Sequence, residues 1–196
     1  MAEFNLKKKV TLRKKQEQVN FTFDDMLKIK LFWGGYTPYY DTLDLALFFK
    51  KKDGSVGGVF SSDYRDKKSD LGSLDQFPYI LHLGDDAEEP VDYSEDTEQI
   101  NVTSLEDIDE AYVCFIHYAA INELDATYTE ANARIEVQSD SGDYLEVLAD
   151  SPDSGPVYYV CSIKNSGGIY TLKNASQVMN LERAFEDIPG FALICN

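Results

Sequence analysis

The run Gly84-Asp85-Asp86-Ala87-Glu88-Glu89-Pro90-Val91-Asp92-Tyr93-Ser94-Glu95-Asp96-Thr97-Glu98 carries eight carboxylates and no cationic side chain. Carboxylates crowded in this way repel one another unless something neutralises them. The chain offers no local counter-charge, because no Lys or Arg occurs between Lys68 and Arg134. Calcium takes roughly six to eight oxygen ligands at about 2.3–2.6 Å in a flexible shell, which is chemistry that a dense run of Asp and Glu can supply. The run is not an EF-hand. A frame starting at Asp86 puts Pro90 at the fifth position, and one starting at Asp92 puts Thr97 where the turn glycine belongs. Composition leaves two readings open, a cation site or a solvated acidic loop.

Other reactive residues are sparse. His82 and His117 are the only histidines. His117 falls in the alternating run Cys114–Tyr118 and reads as a strand residue, and His82 abuts the acidic run in a structural role. No G-x-S-x-G, H-E-x-x-H or P-loop pattern occurs, so no catalytic activity is expected. Cys114, Cys161 and Cys195 are widely spaced, without C-x-x-C, which points neither to a disulfide framework nor to a zinc cluster. Cys114 and Cys161 sit in apolar runs and are expected to pack as small hydrophobes.

A net charge of −17 disfavours nucleic acid and anionic membranes as partners, since both require cationic surface. It suits cations or a basic partner. Eight of the eighteen basic residues lie in the first thirty positions, where they read as a docking patch or as a lysine-guarded strand edge. No apolar stretch approaches the ~20 residues of a membrane span, and the start lacks a signal-like apolar core. A cytoplasmic protein is expected.

The elements that must position these residues read as strands. Leu27, Ile29, Leu31 and Trp33 alternate with Lys28 and Lys30, and Leu43, Leu45, Leu47 and Phe49 repeat the pattern. Further strands are expected at Tyr112–Tyr118, Ala133–Val137, Tyr144–Leu148, Val157–Ile163 and Ile169–Leu172, with Tyr79–Leu83 and Gln99–Val102 flanking the acidic run. Lys52-Asp53-Gly54, Asp140-Ser141-Gly142 and Asn165-Ser166-Gly167-Gly168 supply turns whose glycines accept positive φ. Val178, Leu181, Phe185 and Ile188 follow helical spacing up to Pro189-Gly190, and a short helical turn is expected from Ser104, with Asp107 completing an approximate capping box. The pattern predicts a mainly β chain, an antiparallel sandwich with a few short helices, forming one domain over residues 1–196.

In order and spacing, these motifs resemble the TerD family of tellurite-resistance and stress-response proteins along nearly the whole chain. Val10-Thr11-Leu12 looks like the family's opening strand, and Leu31-Phe32-Trp33 its G-L-G-W segment. Leu43-Asp44-Leu45-Ala46-Leu47-Phe48-Phe49 followed by Asp53-Gly54 resembles D-L-D-A-S-A-F-L-L…D-G. His82-Leu83-Gly84-Asp85-Asp86 is similar to H-T-G-D-N, Asp96-Thr97-Glu98-Gln99-Ile100 to D-D-E-Q-I, and Ala131-Asn132-Ala133-Arg134-Ile135 to R-N-A-F-I.

That resemblance implies a calcium-binding β-sandwich without catalytic activity, acting beside other proteins of a bacterial resistance system. Carried over by position, it assigns Ca2+ to Asp44, Asp85, Asp86, Asp96 and Glu98. The chain departs from the family pattern at Thr42, where the first aspartate of D-L-D stands, and at Glu88, Glu89, Pro90, Val91 and Tyr93, which replace loop glycines. The competing expectation is an acidic interaction module that docks a basic partner without metal.

Overall fold

Residues that alternate apolar with polar become strands throughout the computed structural model, which describes residues 8–34, 43–61, 68–84, 96–117 and 127–195. Along the chain these are β1 (Lys9–Leu12), β2 (Gln18–Phe21), β3 (Leu27–Trp33), β4 (Asp44–Lys51), β5 (Val56–Phe60), β6 (Gly72–Ser73), β7 (Ile80–His82) and β8 (Asp96–Val102). There follow β9 (Ile108–Ile116), β10 (Arg134–Ser139), β11 (Tyr144–Leu148), β12 (Val157–Ser166), β13 (Ile169–Met179) and the helix α1 (Leu181–Asp187).

They form two sheets. The order in one is β1-β11-β10-β3-β8-β7-β6, and in the other β2-β13-β12-β9-β4-β5. Pairing is antiparallel except at one margin, where β1 lies parallel to β11, with Lys9 opposite Tyr144 and Leu12 opposite Val147. The main core lies between the sheets. Leu27, Ile29, Leu31 and Trp33 from β3 meet Leu45, Leu47 and Phe49 from β4 in one buried cluster. This is the expected antiparallel-rich sandwich.

A second cluster lies on the outer face of the six-stranded sheet. The opposite side chains of β4 and β9, Ala46, Phe48, Cys114 and Ile116, are covered there by Ala184 of α1 and by Phe191 and Ile194 of the 3₁₀ segment Phe191–Cys195. The Phe48 and Phe191 rings lie 5.2 Å apart.

Two local expectations need correction. Val178 belongs to β13, paired with Tyr158, and the helix begins only after Asn180, whose side chain accepts the Arg183 N–H at 2.9 Å. A cap that satisfies a first-turn donor fixes the helix start there, and strand pairing claims the residue two places earlier. No helical turn starts at Ser104. Its hydroxyl accepts the Glu106 N–H at 3.1 Å, a local turn that delivers the chain into β9.

Two turns bear out the glycine and aspartate signals. Ser166 pairs with Ile169, so the β12–β13 connection is only Gly167-Gly168, at φ +68° and +91°, as a tight hairpin requires. At the β10–β11 turn the Asp140 carboxylate accepts backbone N–H groups of Asp24, Asp25 and Met26, the first at 3.0 Å and the last at 3.1 Å. These donors, Asp24 foremost, hold its carboxyl below the usual range and tie the β2–β3 turn to the β10–β11 turn.

Candidate metal-binding corner

β4 has neighbours β9 and β5, but β5 ends at Phe60 opposite Ala46, so its ladder provides nothing opposite Leu45. A buried backbone N–H and C=O left unpaired would each cost desolvation energy. Two side chains from the other sheet meet them. Glu98 Oε2 accepts the Leu45 N–H, and His82 Nε2 lies 3.0 Å from the Leu45 carbonyl oxygen. His82 Nδ1 accepts the Gly84 N–H at 2.9 Å, which places the ring proton on Nε2 and makes that atom the donor to Leu45. His82 Nε2 is also 3.6 Å from Glu98 Oε2. Both side chains are buried, so the clasp sits inside the sandwich.

Strand register explains why Glu98 points inward. It lies opposite Leu31, and Ile100 lies opposite Ile29, so Glu98 shares the inner face with Ile100 and Val102. Asp96, two residues earlier and opposite Trp33, is on the same face but at the exposed strand end. Asp44 starts β4 opposite Ile116, next to the clasped Leu45, and alternation aims it toward the outer face with Ala46 and Phe48.

The clasp also fixes the two stems of the acidic run. β7 and β8 pair with His82 opposite Ile100, and the Leu83 N–H reaches Gln99 O at 3.0 Å. The chain therefore departs at Gly84 and returns at Asp96 side by side, next to the start of β4. Asp85 and Asp86 lie outside the described residues. Of the five expected ligands, Asp96 and Glu98 share the inner face of β8, and Asp44 lies next to the clasped Leu45 but on the opposite face of its own sheet. Among the described residues alone, no group of three or more His, Cys, Asp or Glu side chains converges closely enough to hold a metal. The donors at hand are carboxylates, which suit a hard cation, and the remainder of such a shell would come from residues 85–95.

The second histidine takes no part here. His117 follows β9, is buried, and its backbone N–H donates to Pro156 O at 2.9 Å. Sequence reasoning singled out Glu98 as a ligand and did not anticipate that Leu45 would need it. The signal was available. Continuing the alternation of Ile100 and Val102 backward by two residues puts Glu98 on the core face.

The sequence matches no known family model and no curated protein. The structure is similar to that of a homologue of the telluride resistance protein TerD from Streptomyces coelicolor A3(2), with a TM-score of 0.51, 13% identity, and coverage of 80% of this chain and 90% of that one. It is also similar to a solved protein of unknown function, with a TM-score of 0.47, 11% identity, and coverage of 80% and 92%. At the first of these likenesses the chain has a TerD-like fold.

Proposed function

We propose that this chain is a non-enzymatic calcium-binding protein of a bacterial tellurite or stress-resistance system. One observation carries the reading. The run with eight carboxylates and no internal cation has both its stems pinned at a single buried clasp, beside Asp44. Anchored stems lower the ordering entropy that ion binding must overcome. Asp85, Asp86 and Asp96 would hold the ion, while Asp44, aimed by alternation at the outer face, would stand outside the shell. Glu98, buried and engaged by the Leu45 N–H, would anchor the stem of the run. Bound there, calcium supplies the positive charge that the segment lacks.

The TerD-like fold supports the reading, since carboxylate-rich segments are what the resemblance assigns to metal. The non-enzymatic part rests on the chain's two histidines, both buried, one of them spent on the backbone of Leu45. Isothermal titration of the full chain with calcium, and separately with magnesium, tests the proposal. Saturable calcium binding that weakens in Asp85→Asn and Asp86→Asn is expected. Absence of binding at millimolar calcium overturns it.

A further inference from the structure

The end of the sandwich away from the acidic run holds a cleft lined by both signs of charge. There β3 begins and β4 and β8 end, so Asp24, Lys52 and Glu106 meet beside the β12–β13 hairpin around a volume of about 470 Å³. Small-molecule sites span roughly 300–1,000 Å³. Phe23 and Tyr170 give the cleft an aromatic wall, with ring centroids 5.0 Å apart.

The frame of this cleft is tied together from beneath. The buried Asn165 donates through Nδ2 to the carbonyls of Leu105 and Ile108 at 2.8 and 3.1 Å, and its Oδ1 accepts the Gly168 N–H at 3.1 Å. One side chain therefore joins the hairpin to the turn that carries Glu106. The Lys52 N–H donates to Asp107 O at 3.0 Å, and Asp140 holds the turn that carries Asp24. Loops fixed before a ligand arrives lower the ordering cost of binding it.

The charges at the rim are not spent on one another. Among the described residues, the carboxylates of Asp24 and Glu106 and the Lys52 ammonium have no hydrogen-bond or ion-pair partner, and all three residues are exposed. Burial, and after it the Glu106 charge, push the Tyr170 hydroxyl up in pKa, so it stays protonated near that carboxylate.

We propose that this cleft binds a free basic amino acid of the arginine or lysine class. Its two cationic groups would meet Asp24 and Glu106, its carboxylate would meet Lys52, and its methylene stem would lie along Phe23 and Tyr170. The ligand then carries the inverse of the rim, two positive groups and one negative. A sugar leaves all three rim charges without a counter-charge, and a diamine leaves Lys52 without one. An anionic metabolite meets two carboxylates in a protein whose total charge is −17.

The inference does not depend on calcium, and its test is run in chelator. L-arginine is titrated calorimetrically into the full chain at physiological salt. The expected result is saturable binding that weakens about tenfold in Asp24→Asn and in Glu106→Gln, the scale of one charge-assisted contact. Glu182→Gln, on α1, should leave it unchanged, and circular dichroism should show all variants folded. Agmatine, which lacks the carboxylate, should bind wild type more weakly than arginine, and Lys52→Gln should erase that difference. No saturable binding of L-arginine or L-lysine at millimolar concentration overturns the proposal. So does binding that Glu106→Gln leaves intact, or a wild-type affinity for agmatine equal to that for arginine.

Discussion

Glu98, on one sheet, holds the backbone N–H of Leu45, on the other, and so joins the two layers at the point where β5 has run out. The bond is buried and its acceptor is a carboxylate, a combination worth about 1.5–3 kcal/mol. In Glu98→Ala the N–H stays buried without an acceptor, and His82 loses the carboxylate 3.6 Å away. We expect a loss of about 2–3 kcal/mol in chelator, a fall of roughly 5–10 °C in Tm by circular dichroism. Asp96→Ala, at the exposed end of the same strand, should change Tm little. Equal effects at the two positions would remove the clasp from the account.

Calcium should couple to stability by mass action. At about one hundred times its Kd, a ligand bound only by the native state adds about 2.7 kcal/mol. Calcium should therefore raise Tm clearly, magnesium much less, and Asp85→Asn with Asp86→Asn should abolish the increment. Thermal melts in either ion and in chelator separate this from the clasp, which acts without metal.

Strand alternation made most of this fold legible. β4 is buried on both faces and β12 carries a bulge between Tyr159 and Cys161, whereas β3, β10 and β11 each keep period two over five or more residues, so their inward faces could be read directly. The far half of β13 could not, because Lys173-Asn174-Ala175-Ser176 breaks the alternation and Ser176 takes φ +42°. That lapse is what let Val178 pass for the start of a helix. The parallel pairing of β1 with β11 was also illegible, because four-residue strands specify a partner only through tertiary packing. At the site, Asp44 and the acidic run were visible as composition. The division of labour between ligand and strut was not, since it depends on where β5 stops.

Asp140 gives a pH dependence with a defined sign. Backbone donors at Asp24, Asp25 and Met26 lower its folded pKa, so its contribution is present above the ordinary aspartate value of about 3.9 and is lost as pH falls through the lowered one. Asp140→Asn should be less stable than wild type at neutral pH, and the gap should close at acid pH. Urea titrations at pH 7 and below pH 3 test it, and a gap that widens in acid would contradict the assignment.

Phe191 anchors the C-terminal cover. Its ring is fully buried against Phe48, and Gly190 at φ +90° is so close to Gly57 that an added Cβ would sit 2.5 Å from the Gly57 oxygen. Phe191→Ala should cost about 3–5 kcal/mol and uncover the apolar patch around Phe48, seen as increased binding of a hydrophobic dye.

Thiol reactivity offers an independent check on the core. Cys114 and Cys161 are buried, and burial pushes both thiols upward in pKa, whereas Cys195 is exposed. One thiol in the native protein should react rapidly with a disulfide reagent, and Cys195→Ser should remove that fast phase. Rapid reaction of the other two would mean that the layers around β9 and β12 open readily.

The place where β5 stops short has a consequence beyond stability. An uncovered strand margin invites a foreign chain to add itself, the first step toward aggregation. At Leu45 the two backbone groups that an intruding strand would need are already occupied by Glu98 and His82. Side chains from the opposite layer thus act as a seal, and variants that break it should be judged by their tendency to form fibrils as well as by their melting point.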